Sequence, residues 1–278
     1  MNVLIIGGNR FVGKALSHRL LDEKVNVDIF NRSGAGSYTQ LIKDINIIKG
    51  DRNNIEDLKK IDFSKYDAIV DMCLFLPNQI EKMKKFLPQN SKYIFVSSGA
   101  ADSRYIQHYG DYGYDKRVSE AIIKTIAAGN LNYKIVRPSY IVGEGNHRPR
   151  LGYYMNKIIN REHIEIAGNG QNKINVVFVQ DVVDCLEELV YETKQELNNR
   201  TINIVGENVE VIDLINEVSK HCREGEVMLV QDDERAILPK NDFEFDTDRK
   251  YTTLKEGLEE YAKWYYEQGA VNHYGYNI

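Results

Sequence analysis

Residues 1–19 read MNVLIIGGNRFVGKALSHR, and the reading of this stretch decides the fold. Val3, Leu4, Ile5 and Ile6 form an unbroken apolar run that ends in glycine, after which Phe11, Val12, Ala15, Leu16 and Leu20 recur at helical spacing. The pattern predicts a strand, a tight turn and a helix. Gly7, Arg10 and Gly13 fill the three slots of a G-x-x-G-x-x-G spacing, with arginine in place of the middle glycine. A side chain on either glycine would stop the backbone approaching a pyrophosphate, whose charge is met by free N–H groups and the dipole at a helix start. A glycine triplet alone says little. Between a buried strand and an amphipathic helix it is a dinucleotide fingerprint in its required context.

The alternation continues outward from this stretch. Short apolar runs predict strands over 25–30, 45–48, 66–73, 92–98 and 133–136, with helical segments over 53–60, 78–86 and 112–128, the last closed by Gly129 and Asn130. Such alternation predicts the α/β class, a Rossmann-type doubly wound parallel sheet whose ligands gather at the carboxyl ends of the strands. Beyond Arg137, Pro138 and the loop 143–146 the regularity weakens: helices are expected over 151–159, 181–191, 211–221 and 254–268, a turn over 168–170, and strands over 176–179, 202–205 and 226–231. The expected division is a dinucleotide-binding domain over 1–145, to which segments around 174–205 return, and a smaller C-terminal α/β lobe over 146–278 for substrate. The segment 272–278 reads as an ordinary terminus.

Composition excludes several classes. A chain of 278 residues with 42% hydrophobic content can bury a real core. With 36 Lys plus Arg against 41 Asp plus Glu the net charge is -5, which argues against nucleic acid as a partner. Cys73, Cys185 and Cys222 lack any paired spacing, so neither a disulfide framework nor a thiolate metal site is implied. The six histidines show no ligand spacing. His147, beside Arg148 and Arg150, is the one placed to face a substrate phosphate, with a solvated loop as the plainer alternative. There is no basic leader region and no apolar run near the ~18 residues of a membrane span, so no membrane association and a cytoplasmic location are expected.

Cofactor type is argued from the end of the second strand. NAD sites usually place an acidic residue about 20 positions after the glycines to accept from the ribose 2′-hydroxyl. Here that slot holds Asn31, followed by Arg32, and Arg10 lies in the glycine loop. Two guanidinium groups and no carboxylate suit a 2′-phosphate, which favours NADP over NAD. The alternative is that Arg32 is solvated and Arg10 merely covers the turn. Asp51 and Arg52, ending the third strand, are expected beside the adenine or in an exposed turn. The cofactor set is then Gly7, Asn9, Arg10, Phe11, Val12, Gly13, Asn31, Arg32, Asp51 and Arg52, with Cys73 and Ser97 at the ends of the fourth and fifth strands.

Tyr112 and Lys116 are four residues apart and share one helix face. A phenol with an ordinary pKa near ~10 transfers protons poorly at neutral pH, and a neighbouring ammonium favours its phenolate form. Tyr153 with Lys157 and Tyr251 with Lys255 repeat the spacing, as chance allows among 18 tyrosines, and are read as structural. Tyr112 stands apart because its helix follows the strand that ends in Ser97 and Ser98, where a hydroxyl can hold the reacting oxygen. The competing reading makes Tyr112 a helix-start residue packed on the core.

Taken in order, these segments resemble the extended short-chain dehydrogenase/reductase family, the NAD-dependent epimerase/dehydratase group, whose members mostly act on nucleotide sugars. Residues 7–13 look like the nucleotide loop. Phe95, Val96, Ser97 and Ser98 look like the strand bearing the catalytic hydroxyl, with Ser98 in its slot. Tyr112, Gly113, Lys116 and Glu120 match Y-G-x-x-K-x-x-x-E. Arg137, Pro138, Ile141 and Gly143 match R-P-x-x-x-x-G, while 178–182 and 201–206 match the later F-V-x-D-V and T-x-N-I-x-G segments. The resemblance implies that Ser98, Tyr112 and Lys116 are catalytic, that Lys116 also holds the nicotinamide ribose, and that the protein is a homodimer through the helix bearing Tyr112 and the one before it.

There are departures. Arginine in the glycine loop looks like an atypical branch that also includes chloroplast stem-loop RNA-binding proteins. Ser98, Gly99, Ala100 replaces the threonine, aspartate and glutamate of the sugar 4,6-dehydratases, which disfavours water elimination by their route. Ala101, Asp102 and Ser103 stand where the family has an aromatic and a glycine. The expected function is a sugar epimerase or keto-sugar reductase with a small-molecule substrate. The alternative is a non-catalytic nucleotide-sensing or RNA-binding member, which the acidic balance disfavours.

Overall fold

The structure is a computed structural model that describes residues 1–34, 45–89, 91–127, 131–146, 150–194, 198–233 and 249–267. It divides into two compact units, residues 1–138 with 182–204, and residues 139–181 with 205–278.

The first unit carries strands β1 (Asn2–Ile6), β2 (Asn26–Asn31), β3 (Asn46–Lys49), β4 (Ala68–Asp71), β5 (Lys92–Val96), β6 (Asn132–Pro138) and β10 (Arg200–Ile204). They form one seven-stranded sheet in the order β10-β6-β5-β4-β1-β2-β3, and every pair is parallel. Strand order reverses between β1 and β4, which opens a crevice at their carboxyl ends. Val3, Leu4 and Ile5 are fully buried, which is why β1 reads as a continuous apolar run and not as an alternation. Helices α1 (Phe11–Asp22), α2 (Ile55–Leu58), α3 (Pro77–Met83), α4 (Ile106–Ala127) and the part of α6 (Val179–Tyr191) from Val182 onward belong to this unit. Leu4, Ile6, Phe30, Ile69, Leu74, Ile80, Tyr93, Phe95 and Ile123 form one continuous core cluster.

Two expectations change here. α4 begins at Ile106, not at Tyr112, and is broken at Gly110, whose φ of 51° and ψ of -139° are open to glycine and closed to other residues. The regular helix therefore starts at Asp111. The chain leaves the first unit at Pro138, because Tyr140–Val142 pairs with another sheet.

The second unit contains β7 (Tyr140–Val142), α5 (Leu151–Ile159), β8 (His163–Ile166), β9 (Lys173–Phe178), β11 (Glu207–Glu210), α7 (Val211–Lys220), β12 (Met228–Gln231) and α8 (Leu254–Glu267). β11, β9 and β7 make a three-stranded sheet, and β12 pairs with β8. β7, β8 and β11 are absent from the sequence reading, since three or four residues beside a helix carry too little periodicity to register. Tyr140, Tyr154, Met155, Phe178, Leu214, Leu258, Tyr261 and Tyr265 form its core. Tyr153 donates to Glu165 at 2.5 Å and Lys157 pairs with Glu162, which gives that tyrosine and lysine structural partners. Gly129, Asn130, His147, Arg148 and the terminus 272–278 lie outside the described residues.

Candidate active site

The site is built in the first unit from the carboxyl ends of its strands. Gly7 takes a φ of 90°, and its N–H donates to the Phe30 carbonyl at 3.0 Å, so the turn leaves β1 against β2. A Cβ on Gly13 would lie 2.5 Å from the Gly7 carbonyl oxygen, so the start of α1 packs on the turn with no room for a side chain. Ser17 locks the arrangement by donating to the carbonyls of Gly13 at 2.7 Å and Gly8 at 3.2 Å. The middle position tolerates arginine because its backbone is extended, with φ -140° and ψ 148°. The left-handed conformation falls instead on Phe11, at φ 41°, a strain on the order of 1 kcal/mol or more for an aromatic residue. The first turn of α1 carries no side-chain cap and no acid, as an anion-binding helix start requires. Gly13→Ala is accordingly expected to weaken nucleotide binding at least about tenfold, because the helix must move off the turn; calorimetric titration checks this.

At the end of β2, the Asn9 side chain donates to Ser33 at 3.1 Å, and Ser33 donates to the Asn31 side-chain oxygen at 3.3 Å. This chain joins the glycine loop to the expected ribose position. The Asn31 side-chain nitrogen is buried with no hydrogen-bond partner among the described residues. Arg10 and Arg32 are both exposed. The residues therefore fit a dinucleotide, and the acidic ribose ligand of an NAD site has no counterpart among Asn31, Arg32 and Ser33.

Three expected cofactor residues have partners within the protein. Arg52 turns inward, only 6% exposed, and binds both oxygens of Asp71 at 2.6 and 2.8 Å. Its guanidinium is thus paired with a buried carboxylate. Asp51 uses one carboxylate oxygen to accept the backbone and side-chain N–H groups of Asn53, which is the turn-forming alternative. Ser97 is buried and donates to Glu120 at 2.6 Å, so its hydroxyl is spent inside the protein. Cys73 lies against Gly7, since a Cβ there would come within 3.1 Å of its sulfur.

Ser98 is half-buried at the head of a tight turn over Gly99–Ala101, and its hydroxyl oxygen accepts the Ala100 N–H at 3.2 Å. α4 packs on this turn. A Cβ on Gly113 would come within 2.7 Å of the Ala100 carbonyl oxygen, which explains the glycine after Tyr112. Tyr112 is 44% exposed, whereas Lys116 is 2% exposed. The Lys116 ammonium donates to the carbonyls of Leu74 at 2.8 Å and Val96 at 3.1 Å, at the ends of β4 and β5. It lies 6.0 Å from the Tyr112 ring centroid and 4.9 Å from that of Phe95. Burial pushes Lys116 down to about 8, against which the Asp71 charge acts upward.

Behind the serines lies a network the sequence reading did not assemble. Glu120, 1% exposed, accepts from Ser97 and from Arg137 at 2.8 and 2.5 Å, and Arg137 also reaches Asp102 at 3.2 Å. Asp102 is held below the ordinary carboxylate range: burial alone would raise it, and Arg104 with Arg137 overcomes that. Asp71 was missed as well. A carboxylate closing the buried run Ala68–Val70 demands a buried cation, and that demand is the signal that points to Arg52.

Sheet order, glycine turn and strand-end chemistry together define a doubly wound dinucleotide fold. The model of the NAD dependent epimerase/dehydratase family matches residues 3–93 and 80–205, and the chain belongs to this family. Among curated proteins it is similar to the chloroplast stem-loop binding protein of 41 kDa b of Arabidopsis thaliana, 23% identical over 232 residues. That match takes in 76% of this chain, and the chain spans about 60% of the relative's length. Among solved structures it is similar to a UDP-glucose 4-epimerase from Thermotoga maritima with UDP-glucose (18% identity, TM-score 0.78, 96% of this chain and 99% of that one). It is also similar to a UDP-glucuronic acid 4-epimerase from Bacillus cereus in complex with NAD (16% identity, TM-score 0.72, 98% and 99%), and to the enzyme WbmF of Bordetella bronchiseptica in complex with NADH (16% identity, TM-score 0.77, 97% and 93%). At these identities the likeness establishes the fold. No described helix is long and apolar enough to cross a membrane.

Proposed function

We propose that the protein is a nicotinamide-dependent epimerase or keto-sugar reductase acting on a nucleotide-linked or related sugar, with NADP as its cofactor. The observation that carries this reading is the buried Lys116 ammonium at the ends of β4 and β5, beneath a Tyr112 that stays open to solvent. The nucleotide sugars named for the structural neighbours support the substrate class. Gly7, Asn9, Phe11, Val12 and Gly13 would hold the pyrophosphate and its ribose, and Arg10, Asn31 and Arg32 a 2′-phosphate. A bound nicotinamide supplies or accepts the hydride. Tyr112 gives its phenolic proton to the sugar carbonyl oxygen in reduction, or takes the hydroxyl proton in oxidation. Lys116 favours the phenolate by charge, and the Ser98 hydroxyl hydrogen bonds to the same sugar oxygen. A homodimer through α3 and α4 belongs to the same reading; equilibrium sedimentation checks it.

The test is incubation with nucleotide sugars and nucleotide keto-sugars in the presence of NADP or NADPH, with products followed by NMR. Epimerised or reduced sugar supports the proposal. A protein that converts none of them yet binds stem-loop RNA at physiological salt would follow the curated relative instead.

Lys116 also gives a pH signature. Its ordinary value of 10.5 falls to about 8 in the folded chain. Between these values the unfolded chain holds a proton the folded one has released, so stability from this group is full above pH 10.5 and is lost as pH falls through about 8. The unfolding free energy of the wild type relative to Lys116→Met should therefore rise by up to about 3 kcal/mol across that window, as urea titrations at several pH values would show. Turnover should decline above pH about 8 as the ammonium is lost.

A further inference from the structure

Arg52 and Asp71 form a buried ion pair that the proposed chemistry leaves unused. Asp71 is fully buried and accepts four hydrogen bonds: two from Arg52, one from the Tyr93 hydroxyl at 2.7 Å and one from the Cys73 N–H at 3.2 Å. Arg52 also reaches the Cys73 sulfur at 3.7 Å, while its Nε has no partner among the described residues. Asp71 and Cys73 are therefore what hold this guanidinium.

The pair grips the same short segment that receives Lys116. Asp71 is held by Arg52, and three residues on, the Leu74 carbonyl is held by Lys116. Cys73, between them, packs on Gly7 of the nucleotide turn. In the sheet Asp71 stands opposite Phe95, whose ring the Lys116 ammonium approaches to 4.9 Å. Two buried cations thus lie near one buried carboxylate, and Arg52 occupies both of its oxygens. Asp71 is the strongest charge acting on Lys116, and Arg52 opposes it.

We propose that the Arg52–Asp71 pair is a positioning device for Lys116: it fixes the strand end that presents the Leu74 carbonyl, and it stops Asp71 from drawing the ammonium away from Tyr112. Without Arg52, the bare carboxylate pulls Lys116 towards itself and makes it hold its proton to higher pH. Without the Asp71 charge, the uncompensated guanidinium makes Lys116 release its proton sooner. Neutralising both cancels the two effects. Arg52→Lys keeps a cation on Asp71 and preserves the arrangement. The inference rests on Lys116 as the partner of Tyr112, and its primary test reads Lys116 without nucleotide or substrate.

That test is an NMR pH titration of isotope-labelled lysine side chains in the full chain, with the Lys116 signal assigned by its loss in Lys116→Arg. The midpoint should rise by about one pH unit in Arg52→Met and fall by about one in Asp71→Asn. In Arg52→Met/Asp71→Asn and in Arg52→Lys it should lie near the wild-type value. In turnover, Arg52→Met should lower kcat about tenfold while the cofactor KM changes only a few-fold, with recovery in Arg52→Lys. Midpoints that stay put, or that move the same way in both single variants, would overturn the proposal and leave the pair as a fastening of the fold. If one single variant does not fold, the direction of shift in the other decides on the same terms. A wild type that binds no nicotinamide nucleotide defeats the functional reading separately, because the midpoints are read without one.

Discussion

Tyr112→Phe is expected to lower turnover by a factor of ~10²–10⁴ while leaving nucleotide affinity within a few-fold, the range typical of a positioned general acid or base. The substitution removes one hydroxyl and keeps the ring that stands 6.0 Å from the Lys116 ammonium. Lys116 itself is anchored by the Leu74 and Val96 carbonyls and not by the phenol, so the strand ends should keep their shape. Gly113 still packs α4 on the Ser98 turn. The loss should therefore appear in kcat, with binding of the nicotinamide nucleotide intact. A Tyr112→Phe protein with wild-type turnover would remove the tyrosine from the chemistry.

The second large effect is on stability. Glu120→Ala should destabilise the protein by ~3–5 kcal/mol, the usual consequence of stripping one partner from a buried ion pair. Arg137 would keep only Asp102 at 3.2 Å, and the Ser97 hydroxyl would lose the acceptor that holds it at 2.6 Å. Desolvation sets this magnitude: the pair's own net worth is small, whereas a guanidinium left buried without its carboxylate is costly. Glu120→Gln keeps an acceptor for Ser97 and should cost less. Thermal unfolding reads both, with a Tm drop on the order of 10 °C for the alanine variant. A loss below ~1 kcal/mol would mean that water reaches Arg137 and that the network is not closed.

How far the sequence carried depended on whether the deciding forces were local. The strand, turn and helix over residues 1–22 are legible because β1 is buried on both faces and Gly13 has no space for a side chain, and both facts leave marks in neighbouring residues. That arginine can replace the middle glycine is not legible, since it follows from an extended backbone at Arg10 and the transfer of positive φ to Phe11. Arg52 looked available for adenine because its partner Asp71 is 19 residues away at the end of β4, with two strands between it and β3 in the sheet. Ser97 and Ser98 are adjacent just past the end of β5, yet the first is buried and the second half-buried. Only the placement of Glu120 tells which of the two is consumed by the interior. In the second unit, β7 and β11 owe their existence to pairing with β9, a partner that no local pattern announces.

In the proposed function the glycine turn, the amides of Asn9 and Asn31 and the strand-end lysine form one nicotinamide nucleotide site. An equilibrium titration of the purified protein with NADPH and with NADH, run beside Gly13→Ala and after checking for co-purified nucleotide, tests it most directly. Saturable binding is expected, tighter for NADPH and weakened in Gly13→Ala. Retained NAD, or tighter binding of NADH, would contradict the roles given to Arg10 and Arg32. Absence of binding by either nucleotide would mean that these residues form no nicotinamide nucleotide site.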